Sequence, residues 1–328
     1  MALNLLRNLA FVILLGACAS VSRNSKQTIQ SPAADELVTA QPIIGNEIKL
    51  QPLTDLPQTE YGGFVLKPGF YETEYKTYCL EPGTPDPRPG DAYLQGPITG
   101  NRKDIVESVL LNSRSKPHID QKNVQLLLWS VVSGSNFNKL PINVQADANE
   151  LLTSKQIFKL KGGVAGYLKE VSSASGGLST NSGMNRLFEL GVSSYESYER
   201  LAVSREPSKI KKTGVKADQW YKQKDNYYVR YLPLSYQKVK IQLYIPDSLL
   251  DAEGKFGGEY VVYNPTGLQA IPAFTNAQRL GIGAPVLDIV KEIIRINKGN
   301  GSPKPPPTPK PGNPKPGNPK TGNPKSAS

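Results

Sequence analysis

The chain has 328 residues, of which 38% are hydrophobic and 20% are charged, a balance typical of a globular protein with one or two cores. Its net charge is +11, but the segment Lys298–Ser328 contains six lysines and no acidic residue, so the rest of the chain is only mildly basic. This distribution argues against a nucleic-acid-binding domain, whose basic face would lie on the fold itself, and the two cysteines and one histidine have no zinc-type spacing, so we expect neither a metal site nor a cofactor.

The first residues, MALNLLRNLAFVILLGACAS, have the layout of an export signal. Arg7 supplies a short basic region, residues 9–15 are almost wholly apolar, and small residues follow. The apolar run is too short to span a bilayer as a mature helix. The sequence therefore predicts a signal peptide over residues 1–17 and an exported protein.

Two cleavage sites fit this signal. The sequence LGAC at residues 15–18 resembles the bacterial lipobox, in which the cysteine becomes the lipidated first residue of the mature chain. The sequence ACA at residues 17–19 also fits the small-x-small site of ordinary signal peptidase, which would leave a secreted protein. We favour the lipobox, because a leucine stands three residues before Cys18. A lipid on Cys18 would anchor the protein to a membrane, at the periplasm or the cell surface, with the outer membrane favoured.

The segment after the signal, residues 18–59, is polar, with scattered prolines and little periodicity, and predicts a flexible tether. In residues 61–80 aromatic and β-branched residues alternate with polar ones, which predicts strands. Residues 81–90 hold four prolines and two glycines, and this composition predicts an irregular loop.

Three helices are predicted next. Residues 104–112 have a short amphipathic pattern. Residues 119–132 have a longer and more apolar one, which Asp120 would cap and Gly134 would end. Residues 145–155 predict the third helix, with its apolar residues on one face.

A stretch rich in glycine and serine, SSASGGLSTNSG, then interrupts the pattern and predicts a linker over residues 172–184. This linker would separate a small mixed domain over residues 60–171, which contains the glutamine-bearing helix, from a second α+β region over residues 185–297. The expected fold class is therefore α+β, in two loosely separated parts.

The second region begins with a helical pattern at residues 185–201. Residues 239–245 alternate apolar and polar side chains, as a half-buried strand does, and a Gly-Gly pair separates them from another strand-like stretch at residues 259–265. A hairpin of these two strands is predicted. Residues 285–297 carry apolar residues at helical spacing and predict an amphipathic helix that closes the β-rich region.

The last segment, residues 298–328, repeats approximately Pro-Lys-Pro-Gly-Asn and cannot build a core. It predicts a disordered, extended tail. Three roles fit such a tail: a solvated spacer, an electrostatic contact with an anionic cell-wall polymer or a protein partner, and a proline-rich ligand for a partner domain.

The second cysteine, Cys79, lies in the sequence TYCLEPG, and Gln125 lies 46 residues later in VQLLLW. These two sequences resemble the thioester domains of bacterial surface adhesins, which carry Tyr-Cys-x-Asp early and Thr-Gln-x-Ala-Ile-Trp on a later helix. The resemblance covers about residues 75–134. It implies that the Cys79 sulfur and the Gln125 side chain form an internal thioester, which an amine on a partner surface can attack.

The residue types suit that chemistry. A thiolate is a good nucleophile, and a glutamine amide can lose ammonia when it is attacked. The stored electrophile survives only where water is excluded, and Tyr78 and Trp129 are the supporting candidates for that role. The chain departs from the family pattern at four positions, where Glu81, Val124, Leu127 and Leu128 replace aspartate, threonine, alanine and isoleucine.

Two other interpretations of Cys79 are open at this point. It can be a small buried apolar residue, with Gln125 bridging a loop. Alternatively His118, at the entry of the Gln125 helix, can act as a base beside Cys79, as in a Cys/His hydrolase. A histidine at a helix entry is also typical of a surface or capping residue.

We therefore expect a lipid-anchored protein of the cell envelope that acts in adhesion or binding and is not an enzyme. Its expected partners are a membrane, an amine-bearing surface ligand and, through the tail, the cell wall or a protein, and no nucleic acid is expected. The alternative is a structural or assembly lipoprotein of the envelope that has no covalent chemistry.

Overall fold

The computed structural model describes residues 48–100, 102–162, 182–210, 219–223, 225–273, 275–287 and 292–295. Within them the fold is α+β, as predicted, with six α-helices and with strands arranged in four sheets. The signal peptide, Cys18, most of the proposed tether, most of the proposed linker and the basic tail lie outside the described residues.

The helices are α1 Lys103–Arg114, α2 Gln121–Ser133, α3 Ile142–Leu151, α4 Ser154–Leu160, α5 Ser182–Glu189 and α6 Tyr195–Ala202. The strands are β1 Gln51–Pro52, β2 Gln58–Thr59, β3 Phe64–Val65, β4 Gly69–Cys79, β5 Thr84–Pro85, β6 Tyr93–Gly96, β7 Val203–Ser204, β8 Tyr221–Lys222, β9 Tyr228–Ser235, β10 Lys238–Ile245, β11 Lys255–Phe256, β12 Glu259–Tyr260, β13 Val262–Tyr263, β14 Gln269–Pro272, β15 Leu280–Pro285 and β16 Ile293–Ile294. None of the helices in this described part is long and apolar enough to cross a membrane.

The largest sheet has eight strands and is built around β4. Its order is β6-β14-β15-β4-β10-β9-β8, and β1 pairs with β4 outside this path. Along β4, residues 69–76 pair antiparallel with β10, and residues 75–79 pair antiparallel with β15. Both antiparallel neighbours of this central strand therefore come from the far half of the sequence.

This topology corrects the predicted division into two folded parts, residues 60–171 and residues 185–297. Strands of both parts share one sheet, and a single hydrophobic core contains residues of both, among them Leu128 and Ile241. The composition break between them does not separate two cores, because strand pairing brings distant segments together irrespective of the composition of the chain that joins them.

Strand β10 has the burial that its alternating sequence predicts. The residues on its inner face are all fully buried: Val239, Ile241, Leu243 and Ile245. Its hairpin partner, however, is β9, and the predicted hairpin with residues 259–265 is wrong. The Gly-Gly pair instead connects β11 to β12, and β13 pairs with β3 near the beginning of the fold.

Helix α2 agrees with its prediction at both ends. At its start, the Asp120 carboxylate accepts a hydrogen bond of 2.8 Å from the main-chain N–H of Lys122. At its end, Gly134 has a φ of 76°, the left-handed conformation that glycine adopts without a Cβ penalty. The two capping residues therefore fix the length and the position of the helix that carries Gln125.

The predicted single helix over residues 145–155 is two helices, α3 and α4. The Thr153 hydroxyl accepts from the main-chain N–H of Gln156, and the Gln156 side chain accepts from the main-chain N–H of Thr153. This capping box starts α4 and ends the continuous helical pattern. Residues 185–201 likewise divide between α5 and α6.

The amphipathic helix predicted over residues 285–297 is wrong where the chain is described. Pro285 ends β15, and β16 pairs in parallel with β2. The main-chain N–H of Gln58 donates to the carbonyl of Glu292 over 2.9 Å. The isoleucines of this segment are β-branched and suit a strand as well as an apolar helix face, and the available sheet edge decides between the two.

The fold also begins earlier than predicted. Leu53 and Leu56 belong to the core, and Gln58 pairs with Phe64 in the small sheet of β2 and β3. The second part of the proposed tether, from about residue 50, is therefore folded. This segment contacts the core only through isolated residues such as Leu53 and Leu56, so its apolar residues have no periodic pattern that would have predicted folding.

Candidate functional site

The candidate site lies where β4 ends against helix α2. Cys79 is the last residue of β4 and Gln125 is in the second turn of α2, and both side chains are buried. The main-chain N–H of Cys79 donates to Oε1 of Gln125 over 2.8 Å, and Nε2 of Gln125 donates to the main-chain carbonyl of Cys79 over 3.0 Å. The structure thus brings together the two residues that the sequence resemblance pairs.

Helix α2 takes this position because the neighbouring strand stops. β10 begins at Lys238, opposite Lys76, so the last residues of β4 extend beyond it. Alternate residues of a strand direct their main-chain N–H and carbonyl groups to the same edge of the strand. The main-chain groups of Thr77 and Cys79 face the edge of β4 that β10 leaves uncovered. Gln125 pairs with Cys79 as a neighbouring strand would, so the otherwise unpaired main-chain groups are satisfied.

A second glutamine of α2, Gln121, also hydrogen-bonds to main-chain groups at this edge, one helical turn earlier. It was not identified from the sequence. Nε2 of Gln121 donates to the carbonyl of Thr77 over 3.2 Å and to the carbonyl of Gln237 over 2.9 Å. Four helical residues rise about 6 Å and two strand residues about 6.6 Å, so the two spacings match. The available signal was the recurrence of glutamine at positions i and i+4 at the start of an apolar helix.

The thiol of Cys79 is fully buried, and this burial raises its pKa from the usual 9.0 to about 12. The carboxylates of Glu81 and Asp86 act in the same direction. The donor groups of Trp129 and Glu81 lower the pKa of the thiol, but these effects are smaller than that of burial. The sulfur is therefore protonated at neutral pH, in a setting that excludes water.

Trp129, one helical turn after Gln125, belongs to the buried aromatic surroundings of the site. Its ring stacks on Tyr195 of α6 with centroids 5.5 Å apart and on Tyr236 of the β9–β10 turn with centroids 6.4 Å apart. The hydroxyls of the two tyrosines are 2.9 Å apart. Burial raises the pKa of both above the usual 10.0, so both stay protonated at neutral pH.

Ion pairs connect the segments that surround the stacked rings. Arg205 contacts Asp86 at 3.1 Å and Glu199 at 3.3 Å. Asp86 also accepts from the main-chain N–H of Tyr236 at 3.0 Å, and the Tyr236 hydroxyl donates to Glu199 at 2.7 Å. The loop after Cys79, helix α6 and the β9–β10 turn are thereby held together over the site.

The remaining predicted residues lie in different places. Glu81 accepts from Nε of Arg279 over 3.0 Å, immediately beyond the thiol. Tyr78 is buried, but neighbouring residues of a strand point to opposite faces, and its hydroxyl interacts with Ser113 of α1. Tyr78 therefore lies on the face of β4 opposite to the Cys79 side chain, and its role in shielding the sulfur stays a prediction.

His118 is not brought to Cys79. Its Nε2 lies 3.0 Å from the carboxylate of Glu150, and its side chain is 62% exposed. A hydrolase that uses His118 as a base beside the buried thiol is therefore not supported by the structure. Over the described ranges, the chain also holds no cluster of three or more His, Cys, Asp or Glu side chains that could bind a metal ion.

Comparison of the chain with protein-family models, with curated proteins and with solved structures found no match. The contacts around Cys79 and Gln125, together with the residue types of the leader and the tail, are what the functional proposal depends on.

Proposed function

We propose that this chain is an exported protein of the cell envelope that acts in adhesion or binding, and that Cys79 and Gln125 form an internal thioester that captures an amine. The observation that carries the proposal is the reciprocal hydrogen bonding between the Gln125 side chain and the Cys79 main chain. The two residues lie far apart in sequence and meet in a buried position, next to each other.

The chemistry follows from this arrangement. The Cys79 sulfur attacks Cδ of Gln125, an S–C bond forms, the C–N bond to Nε2 breaks, and the thiol proton leaves with the nitrogen as ammonia. The main-chain N–H of Cys79 already donates to Oε1, the atom on which negative charge develops, at a distance suited to stabilising it. A partner amine then attacks the same carbon, forms an amide and returns the proton to the sulfur.

Burial suits a stored electrophile. Gln125 is only 1% exposed, so bulk water has little access to the bond. The rings of Trp129, Tyr195 and Tyr236 enclose the same region. We infer that a partner amine enters by local opening of the segments that Arg205 joins, because these segments are connected by ion pairs at the surface.

The leader and the tail supply the context. The lipobox-like sequence supports export and a lipid anchor at Cys18, and the lysine-rich repeat of residues 298–328 supports contact with an anionic wall polymer or a protein partner. In this proposal the anchor and the tail hold the folded part at the envelope, and the thioester makes the final attachment to an amine-bearing surface.

The test is accurate mass of the purified native protein. A thioester lowers the mass by one ammonia, prevents alkylation of Cys79 in the unfolded protein, and lets methylamine add at Gln125 with release of the thiol. The variant Gln125→Glu is the control, since it lacks the amide that is lost. A native chain of full mass, with Cys79 freely alkylated after unfolding, would end the thioester proposal.

A second candidate, an envelope protein that binds or assembles without covalent chemistry, is favoured by one observation. Gln125 has a complete structural role in its amide form, because it closes the edge of β4. The same mass measurement separates the two candidates. For the tail, retention on isolated cell wall is compared with and without residues 298–328, and equal retention would remove the tail from both proposals.

A further inference from the structure

A small cleft opens on the outer face of β4, away from the thiol. Its volume is about 230 Å³, and it is lined by both residues of β1 and by the charged side chains of Glu72, Glu74 and Lys240. Alternate residues of a strand point to opposite faces, so Glu72 and Glu74 lie on the face of β4 opposite to the Cys79 side chain. A cleft of this size is smaller than the pockets that bind drug-sized molecules and suits a single amino-acid-sized group.

A polar network across three strands orients the Glu72 carboxylate at this cleft. Gln242 of β10 lies opposite Glu72 of β4 on one side and opposite Arg230 of β9 on the other, and it is only 5% exposed. Its Nε2 donates to Oε2 of Glu72 over 2.9 Å, and its Oε1 accepts from Nε of Arg230 over 2.9 Å. Because a guanidinium can only donate, the amide has one orientation, and its donor must face Glu72. The carboxylate is therefore held in place before any ligand binds.

The charged groups at the cleft keep hydrogen-bonding capacity for a ligand. Nζ of Lys240 lies 3.7 Å from Oε2 of Glu72, which is close enough for an ion pair but too far for a hydrogen bond. Oε2 of Glu74 pairs with Nζ of Lys238 at 3.1 Å. A carboxylate has about four acceptor sites and an ammonium group has three donors, so each of the three lining groups can bind a further partner. Their side chains are between 32% and 34% exposed, so a small molecule can reach them.

The charges at and beside the cleft balance. Two side chains are acidic and two are basic: Glu72, Glu74, Lys238 and Lys240. A purely anionic ligand would be repelled by the carboxylates, and a purely cationic one by the lysines. A zwitterion meets both signs with a partner of opposite charge. Glu72 and Glu74 are two residues apart on one strand, which is about 6.6 Å, so a single ammonium group can lie between their carboxylates.

We propose that this cleft binds the head group of an α-amino acid, in which an ammonium and a carboxylate group share one carbon. The ammonium donates to the carboxylates of Glu72 and Glu74, and the ligand carboxylate accepts from Nζ of Lys240. The ligand is a free amino acid, or the same head group on the side chain of a diamino acid in a cell-wall peptide. This binding goes beyond the proposed thioester and does not depend on it, because the cleft lies on the other face of β4 and no covalent step is involved.

The test is isothermal titration calorimetry of the full chain. Alanine is the free zwitterion, N-acetylalanine lacks its ammonium group, and alaninamide lacks its carboxylate. For a ligand of so few atoms we expect a Kd on the order of 1 mM for alanine, and binding at least ~10-fold weaker for each probe with one charge. The wall source is tested with the tripeptide L-alanyl-γ-D-glutamyl-meso-diaminopimelic acid, which carries a free head group. The matched tripeptide that ends in lysine lacks the carboxylate of that group.

Two variants, Glu72→Gln and Lys240→Met, each remove one charge from the cleft, and both should weaken binding by at least ~10-fold. Glu253→Gln, which removes an exposed carboxylate paired with Lys255, is the matched control and should bind as the parent does. Equal melting temperatures establish that the fold is kept.

The outcomes are distinct. Binding of alanine without the diaminopimelic acid tripeptide assigns the cleft to free amino acids, and binding of that tripeptide at least as tightly as alanine assigns it to a cell-wall peptide. The site would be overturned by no saturable binding of either ligand up to ~50 mM. Equal binding of the ligands and their matched one-charge probes, or unchanged affinity in both cleft variants, would overturn it as well. None of these results depends on whether the native protein has lost ammonia, so the site and the thioester fail separately.

Discussion

Replacing Gln125 by leucine tests whether the glutamine completes the edge of β4. Leucine has a similar size and a good helix propensity, so helix α2 is retained. The N–H and the carbonyl of Cys79 would both lose their partner in a buried position. Each unsatisfied main-chain group costs about 1–3 kcal/mol, which gives a loss of about 2–6 kcal/mol for the pair. Such a loss is a large part of the total stability of a typical domain.

The measurement is urea unfolding in a Cys79→Ala background, in which the main chain of residue 79 is intact and no thioester can form. Gln121→Leu is the matched control, because it also removes a glutamine from α2. Of the two carbonyls that lose the Gln121 donor, that of Gln237 still accepts from the N–H of Thr77 over 2.8 Å. The control leaves one carbonyl, that of Thr77, without its donor, and should therefore lose about half as much, about 1–3 kcal/mol. A Gln125→Leu protein within about 0.5 kcal/mol of its parent, or equal to the control, would refute the role in the strand edge.

Two further predictions concern pH and backbone conformation. Burial raises the pKa of Cys79 to about 12, so the alkylation rate of a free Cys79 thiol in the native protein should rise about tenfold per pH unit up to about pH 10. An alkylation rate that stops rising near pH 9.0, the usual pKa of a thiol, would contradict the effect of burial. Between pH 9.0 and about pH 12, the Cys79 thiol loses its proton in the unfolded chain and keeps it in the folded chain. The free energy of unfolding, relative to that of Cys79→Ala, should therefore fall above about pH 9 by about 1.4 kcal/mol per pH unit. Urea unfolding at several pH values measures this change. Gly134→Ala, at a φ of 76°, should lose about 1 kcal/mol. Gly183→Ala, in helix α5, should gain about 0.5–1 kcal/mol in the same assay, because the added Cβ would make only an ordinary contact of 3.5 Å with the Leu201 side chain. Changes of the same sign at both glycines would contradict the assigned conformations.

Helix α2 could be predicted in detail because its determinants are local. Asp120 and Gly134 mark its ends in the sequence itself, and the apolar run between them fixes its type. Helix α1 and the alternating strand β10 were predictable for the same reason. In contrast, the capping box at Thr153 divides a pattern that is continuous in hydrophobicity, and only the position of the hydroxyl and amide pair reveals it.

The arrangement of the sheet could not be predicted, because strand pairing is not local. β10 could equally be paired with either of two neighbouring segments, and its partner on the other side, β4, lies far away in the sequence. The segment around Ile293 shows the same limit, since its apolar pattern suits a helix face and an available sheet edge selects a strand. The predicted domain boundary was wrong for this reason.

The site was predictable only in part. A glutamine in an apolar helix signals an unusual role, and the family resemblance named Cys79 as its partner, which the structure places in contact with it. The covalent bond between them stays a prediction. Tyr195 and Tyr236 had no signal in the sequence, because their contribution depends on the approach of α6 and the β9–β10 turn to Trp129.

The position of β4 in the sheet determines when, during synthesis of the chain, the Cys79 thiol can become buried. Leu280, which lies opposite Cys79 in the sheet, is 201 residues further along the chain. Ribosomes add about 5–20 residues each second, so about 10–40 s separate the synthesis of the cysteine from that of this neighbour. During that interval Cys79 has an ordinary exposed thiol, open to oxidation and to pairing with other thiols. The protection that the finished protein gives to its sulfur is thus acquired late, and any factor that shields nascent thiols would act on this chain in that interval.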